Sequence, residues 1–186
     1  MKSAITFLLW LCIGGLLVAQ VRPPYLPPPR PPKPSTPKVN PKSEEPSPEV
    51  SANVDKEIRL FLDDWRDTFI KRDADAMGRF YLQTTEFSAF TLRDPMAVVG
   101  WPGYRKALTE FFSRFFSIAH CTFDDLHIVV TGDGSAWLRG LGRVDGVDRD
   151  GKPAVGDQAR WRQTSLLERR GGRWLIVHEH DSAATQ

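Results

Sequence analysis

Cysteine is almost missing from this chain: Cys12 and Cys121 stand alone among 186 residues. Cys12 falls inside an N-terminal apolar run, so the mature protein is expected to keep only Cys121, and one cysteine closes no intramolecular disulfide. Stability must then come from an apolar core, with Cys121 read as a small buried hydrophobe rather than a reactive thiol. A basic surplus is missing from most of the chain. The net charge is +2, yet residues 51–186 carry 19 Lys and Arg against 20 Asp and Glu. Without a basic stripe, no nucleic-acid partner is expected. No internal repeat is visible, and no apolar run reaches the roughly 20 residues of a membrane-spanning helix.

What is present divides the chain in two. Lys2 precedes an apolar stretch from Ala4 to Ala19, interrupted mainly by Thr6, Gly14 and Gly15. That pattern predicts a secretory signal peptide over residues 1–19, with cleavage after Ala19. Leu17 is larger than the ideal residue before such a cut, so an uncleaved membrane anchor is the alternative. Either way the protein is expected to be exported, secreted or periplasmic, touching a membrane only through this segment. Cys12 follows the bulky Trp10 and Leu11 and does not fit a lipid-attachment site. Residues 20–50 then read as a proline-rich disordered linker. Twelve of the fifteen prolines lie between Val21 and Val50, with Arg30, Lys33, Lys38 and Lys42 among them. Proline fixes φ and removes an amide donor, which predicts an extended, solvated spacer.

Residues 51–186 have the length of one domain. Asn53 is the expected cap of a first helix, in which Val54, Ile58, Phe61, Leu62, Trp65 and Phe69 form one apolar stripe. Asp73 caps a shorter helix that turns Ala74, Met77, Phe80 and Tyr81 inward. Residues 84–91 read as a strand of poor alternation. Pro102 opens a third helix whose apolar face is Tyr104, Ala107, Leu108, Phe111, Phe112, Phe115 and Phe116. The period then falls to two. Leu126, Ile128 and Val130 alternate, Gly132-Asp133-Gly134 turns, and Trp137, Arg139, Leu141 and Arg143 share a face of the next strand. Trp161, Gln163, Ser165 and Leu167 share another. Gly171-Gly172 is a two-residue hairpin turn before a last strand from Trp174 to about Asp181. Helices followed by long hairpins predict an α+β domain with a curved sheet folded over its helices.

Several segments, in order, carry a resemblance. They are the opening helix with Trp65 and Lys71-Arg72-Asp73-Ala74-Asp75-Ala76, then Gly100 and Gly103 before the phenylalanine-rich helix. The closing hairpin completes them, from Arg162-Gln163-Thr164 through Arg169-Arg170-Gly171-Gly172-Arg173-Trp174 to Val177-His178-Glu179-His180-Asp181-Ser182. Over residues 53–184 the chain resembles the SnoaL-like, ketosteroid-isomerase-like branch of the nuclear transport factor 2 superfamily. The hairpin is also similar to the association domain of calmodulin-dependent kinase II. The resemblance implies a cone-shaped, mixed or antiparallel sheet packed on three N-terminal helices, a pocket on the concave side, and a homodimer paired across the sheet. It fixes no reaction, because the fold serves isomerases, cyclases, dehydratases and hubs alike.

Candidate chemistry rests on few side chains. Glu179 and Asp181 share one side of the last strand, and the resemblance implies that this side is concave. A carboxyl in an apolar cavity has a raised pKa and suits proton transfer. Ketosteroid isomerase pairs an Asp base with Tyr and protonated Asp donors, and Tyr81 and Tyr104 are the tyrosines on offer here. The bland alternative is a carboxylate paired with arginine at a sheet end. Arg139 and Arg162 could clamp a carboxylate ligand or lie solvated on the convex face, and strand parity leaves both open. The expected pocket lining is Trp65, Phe69, Tyr81, Tyr104, Phe112, Trp137, Arg139, Trp161, Gln163 and Asp181. His178 and His180 share the other side of the strand. A zinc site would need a third ligand from His120 or His127 that no spacing supplies, so they read as support for the sheet surface or the dimer contact. Gly146 to Gly151 has the outline of a calcium loop. Gly146 stands where an Asp ligand belongs, and Asp157 stands where Glu normally closes the loop, so a hairpin loop explains it better. No metal or cofactor is expected. Three readings remain: a small-molecule binder, a proton-transferring isomerase or cyclase, and an oligomerisation module.

Overall fold

Ser47 starts the domain. In the computed structural model, which describes residues 45–92, 96–155 and 159–184, its hydroxyl accepts from the Val50 amide at 3.3 Å. Pro48 follows where a missing N–H is harmless, so α1 (Pro48–Ile70) begins five residues before the expected cap at Asn53. The signal segment and most of the expected linker lie outside the described residues. Among the described residues no helix is long and apolar enough to cross a membrane. The α1 stripe is buried as its spacing predicts: Val54, Ile58, Leu62, Trp65 and Phe69 face the core. Asp73 accepts from the Ala76 amide at 2.9 Å and caps α2 (Ala74–Met77), which tightens into a 3-10 turn at Gly78–Phe80.

Two three-residue strands, β1 (Ser88–Phe90) and β2 (Ala97–Val99), precede α3 (Trp101–Phe112). Only β1 falls within the expected strand over residues 84–91. The third helix ends at Phe112, and Phe115 and Phe116 already belong to the 18-residue β3 (Phe115–Gly132). Bulges explain that error. Register shifts between Phe115 and Ser117 and between Ile118 and His120 each insert a residue, so Phe115, Ile118 and Cys121 point inward at a spacing of three. Three is a helical spacing, reached here by a bulged strand.

The sheet continues through β4 (Ser135–Asp148), β5 (Arg160–Arg170) and β6 (Arg173–Ala183). Gly171 and Gly172, at φ 59° and 78°, make the last hairpin turn. The strand order is β2-β1-β6-β5-β4-β3, antiparallel except where β1 runs parallel to β6. The result is an open mixed sheet curled over three helices, the α+β cone.

A second irregularity sets the chemistry of the core. Leu166 pairs with His178 but Leu167 pairs with Ile176, which leaves Val177 as an extra residue on β6. Inward positions therefore pass from Trp174 and Ile176 to Glu179 and Asp181. Without the shift, simple alternation would have sent His178 and His180 inward.

Candidate functional site

The β5–β6 register places Ser165 opposite Glu179 and Gln163 opposite Asp181, while β4 places Gly142 opposite Trp161. Gly142 is a seat: a Cβ there would lie 2.2 Å from the Trp161 ring. Glycine thus lets the indole lie flat against the sheet. Its Nε1 donates to Gln163 Oε1 at 3.1 Å, which leaves the Gln163 amide nitrogen to donate to Ser165 Oγ and Glu179 Oε2, each at 3.1 Å.

Glu179 is only 2% exposed and collects two further donors. Tyr81, just past the 3-10 turn, donates to Oε2 at 3.3 Å, and Tyr104 of α3 donates to Oε1. Trp65 Nε1 of α1 in turn donates to the Tyr81 hydroxyl at 3.0 Å. Elements from both ends of the domain therefore converge on one carboxyl group. Burial, and after it the Glu179 charge, push both phenols well above their ordinary pKa, so they remain donors. Burial also raises Glu179 to about 7, against the lowering effect of the Tyr104, Tyr81 and Gln163 hydrogen bonds.

Asp181 is treated differently. Its Oδ1 is buried and has no hydrogen-bond partner. Burial first, and the Glu179 charge second, hold its carboxyl well above the usual range. An unsatisfied buried polar atom costs about 1–3 kcal/mol, a sizeable share of the ~5–15 kcal/mol that holds a domain together. With three donors on Glu179 and none on Asp181 Oδ1, the shared charge belongs on Glu179 and the proton on Asp181.

Above this pair lies a cavity of about 80 Å³, walled by Trp65, Phe69, Phe111 and Trp161. Such a volume holds several waters or a small organic group. Trp65 stacks on Phe69 with ring centroids 4.7 Å apart. Thr91 and Leu92 close one side, and Glu110 and Arg114 stand at the end of α3.

Of the expected lining residues, Trp65, Phe69, Tyr104, Trp161, Gln163 and Asp181 meet at this cavity, and Glu179 with them. Tyr81 sits behind it, in contact with the lining residues Trp65, Tyr104 and Glu179. Phe112 is turned away, packing against Phe69 at 4.9 Å. Trp137 and Arg139 are not brought to the site. Ala136, Leu138, Gly142 and Val144 are the buried residues of β4, so the face that carries Trp137 and Arg139 is convex. Arg162 is exposed and donates to the Ala183 carbonyl. His178 and His180 are also outside, both edge-on to Phe90, with Ser88 Oγ 2.8 Å from His178 Nδ1. Among the described residues no cluster of His, Cys, Asp and Glu could hold a metal. In the Gly146 to Gly151 segment, Asp148 accepts from the Asp150 and Lys152 amides, which makes it a turn. The lining residues missed were Thr91, Leu92, Ala107, Leu108, Glu110, Phe111 and Arg114, and with them Gly142, whose role shows only in the strand register.

Comparison with known proteins follows the same outline. Residues 58–186 match the SnoaL-like domain family. No curated protein matches the sequence. Among solved structures, a nuclear transport factor 2-like superfamily protein from Salmonella enterica is similar at 18% identity and a TM-score of 0.62, over 73% of this chain and 94% of that one. A protein from Novosphingobium aromaticivorans assigned as a scytalone dehydratase is similar at 9% identity and 0.63, over 74% and 88%. The association domain of the Caenorhabditis elegans calmodulin-dependent kinase II is similar at 16% and 0.57, over 72% and 98%. At these identities the likeness is one of fold.

Proposed function

Because the chain belongs to the SnoaL-like domain family, we propose that its aromatic cavity binds a small organic molecule through the carboxyl group of Asp181. The observation that carries this reading is the buried, unpartnered Oδ1 at an aromatic-walled cavity. A ligand's polar group would satisfy it, while Trp161 and Phe69 cover the ligand's apolar body. The test is native mass spectrometry of the protein purified gently from its own host. A discrete adduct that disappears in Trp161→Ala is the expected result. Retention of the adduct in that variant would remove the cavity from consideration.

The second reading, a proton-transferring isomerase or cyclase, is favoured by one observation: burial raises the Glu179 carboxyl to about 7. A base near neutrality is suited to proton abstraction at physiological pH. In that reading Glu179 takes the proton and Asp181 donates to the developing oxyanion. Tyr81 and Tyr104 are already engaged with Glu179, so they position the base. Glu179→Gln should then abolish turnover with binding kept, whereas a pure binder has no turnover to lose.

Export through the N-terminal apolar segment and pairing of two copies through the convex sheet face complete the proposal. The pairing is supported by the exposed Phe90, Leu141 and Leu166 and by the association domains among the similar folds.

A further inference from the structure

The cavity's charges are unbalanced. Its lining holds three carboxyl groups, Glu110, Glu179 and Asp181, and one guanidinium, that of Arg114. The two innermost are the acids. Every hydrogen bond to Glu179 comes from a neutral group, namely Tyr81, Tyr104 or Gln163. Among the described residues neither Glu179 nor Asp181 has a salt bridge. A buried carboxylate ordinarily sits beside a cation, because its desolvation is costly when uncompensated. Among the described residues no lysine or arginine pairs with either acid, and the guanidinium in the lining is that of Arg114.

The walls have the same preference. Trp65, Phe69, Phe111 and Trp161 line the cavity, and aromatic rings attract ammonium groups over their faces. Neutral ligands gain apolar contact from those rings but nothing from the carboxylates beyond an ordinary hydrogen bond. Anions would meet two acids at the floor. We propose that this pocket selects a protonated organic amine, its ammonium group seated between Asp181 Oδ1 and Glu179 and its apolar body against the aromatic wall. This rests on the reading of the cavity as a small-molecule site and names the ligand class.

Binding should depend on pH in a definite direction. The groups facing Glu179 are Tyr81 from the turn after α2, Tyr104 from α3, Gln163 from β5 and Asp181 from its own strand. Glu110 and Arg114 stand at the mouth. The tyrosines stay neutral, because burial pushes their phenols well above the ordinary range. Glu179 and Asp181 lose protons as pH rises, while an alkylamine with a lysine-like pKa stays protonated to about pH 10. Ammonium binding should therefore strengthen from acid to mildly alkaline pH, and should expel a proton from the carboxyl pair.

The probes are benzylamine, benzyl alcohol and benzoate, matched in ring and differing in charge, titrated calorimetrically into the purified full chain. At about pH 8, benzylamine is expected to bind at least about tenfold more tightly than benzyl alcohol, as a charge-assisted hydrogen bond exceeds a neutral one. Benzoate should not bind. Glu179→Gln and Asp181→Asn should each remove the preference for amine over alcohol, the ratio of the two affinities falling by about tenfold. Should either variant fail to fold, wild-type titrations in two buffers of different ionisation enthalpy read the proton release directly. Equal affinity for amine and alcohol, or amine binding without proton release near neutral pH, overturns the ammonium assignment and leaves the small-molecule site standing. No heat with any of the three probes, alongside an unchanged native adduct in Trp161→Ala, overturns both.

Discussion

The two faces of the β5–β6 hairpin differ in burial, in hydrogen bonding and in charge. On the inner face, Trp161, Gln163, Ser165 and Glu179 are each 5% exposed or less and hydrogen-bond one another in a chain. On the outer face, Arg162, Thr164 and Leu166 alternate with them, exposed, beside half-buried His178 and exposed His180. Neighbours one residue apart thus live in different dielectric surroundings. Polar groups on the inner side must be paired at a cost of about 1–3 kcal/mol for each failure, whereas those on the outer side exchange partners with water. The lesson is that substitutions of equal size should have unequal effects across a single strand.

The largest expected effect removes the inner face's foundation. Gly142→Val places a branched side chain where even a Cβ would be 2.2 Å from the Trp161 ring. The indole must leave its seat and release the Gln163 amide. A loss of about 3 kcal/mol or more is expected, at the upper end of overpacking effects, read as a fall in the urea midpoint. A change below about 0.5 kcal/mol would mean that Trp161 is not locked in place and that the hydrogen-bond chain is looser than described.

Next comes pH. Glu179 has a folded pKa of about 7 against an ordinary 4.5, and Asp181 is raised in the same direction. The folded state therefore holds protons that the unfolded chain gives up, and stability falls as pH climbs through the interval between those values. The contribution is most favourable below about pH 4.5 and is lost once the folded groups ionise. A decline on the order of a few kcal/mol between about pH 5 and pH 8 is expected, read from urea midpoints. Glu179→Gln should flatten that slope. An unaltered slope in the variant would assign the pH dependence elsewhere.

Removing one donor should have a smaller effect. Tyr104→Phe deletes the hydroxyl that donates to Glu179 Oε1 and keeps the ring. About 1–3 kcal/mol is expected, since the acceptor is a buried carboxylate, and the loss should be greater at alkaline pH than at acid pH, where a protonated Glu179 needs fewer donors. A pH-independent loss would mean that the ring, rather than the hydrogen bond, was disturbed.

Much of this architecture was legible beforehand, and what escaped has a common cause. The α1 stripe, the Asp73 cap and the Gly171-Gly172 turn are local features, and local sequence shows them. Trp65, Phe69, Tyr104, Trp161, Gln163 and Asp181 could be named as pocket residues because aromatic and polar side chains with the right parity are few. Parity was misleading at the bulges of β3, whereas at Val177 the resemblance had already set Glu179 and Asp181 on the concave side. The bulges in β3 made Phe115 look helical, and the one at Val177 exchanged the faces of Glu179 and His178 relative to Trp174. A bulge is fixed by the partner strand, so no pattern within one strand reveals it. Trp137 and Arg139 missed the site for a related reason: alternation identifies two faces, and only the packed helices decide which is concave. β2, three residues long, carries too short a pattern to be seen.

The smallest effect on folding belongs to the outer face, and there the comparison can be turned into a test of assembly. Leu166 is 44% exposed and pairs across strands with Trp137 and His178. Leu166→Glu buries no charge in an isolated subunit, so its thermal stability should change by less than about 0.5 kcal/mol. If two copies pair across this face, the same substitution places a like-charged pair near the contact and should drive the protein to monomers in sedimentation experiments. Benzylamine affinity, a property of the inner face, should not move. A monomeric variant with intact binding would show that the two faces of one hairpin serve separate tasks. Loss of binding together with the dimer would mean that the cavity relies on pairing to keep its shape, and the separation of the two faces would fail.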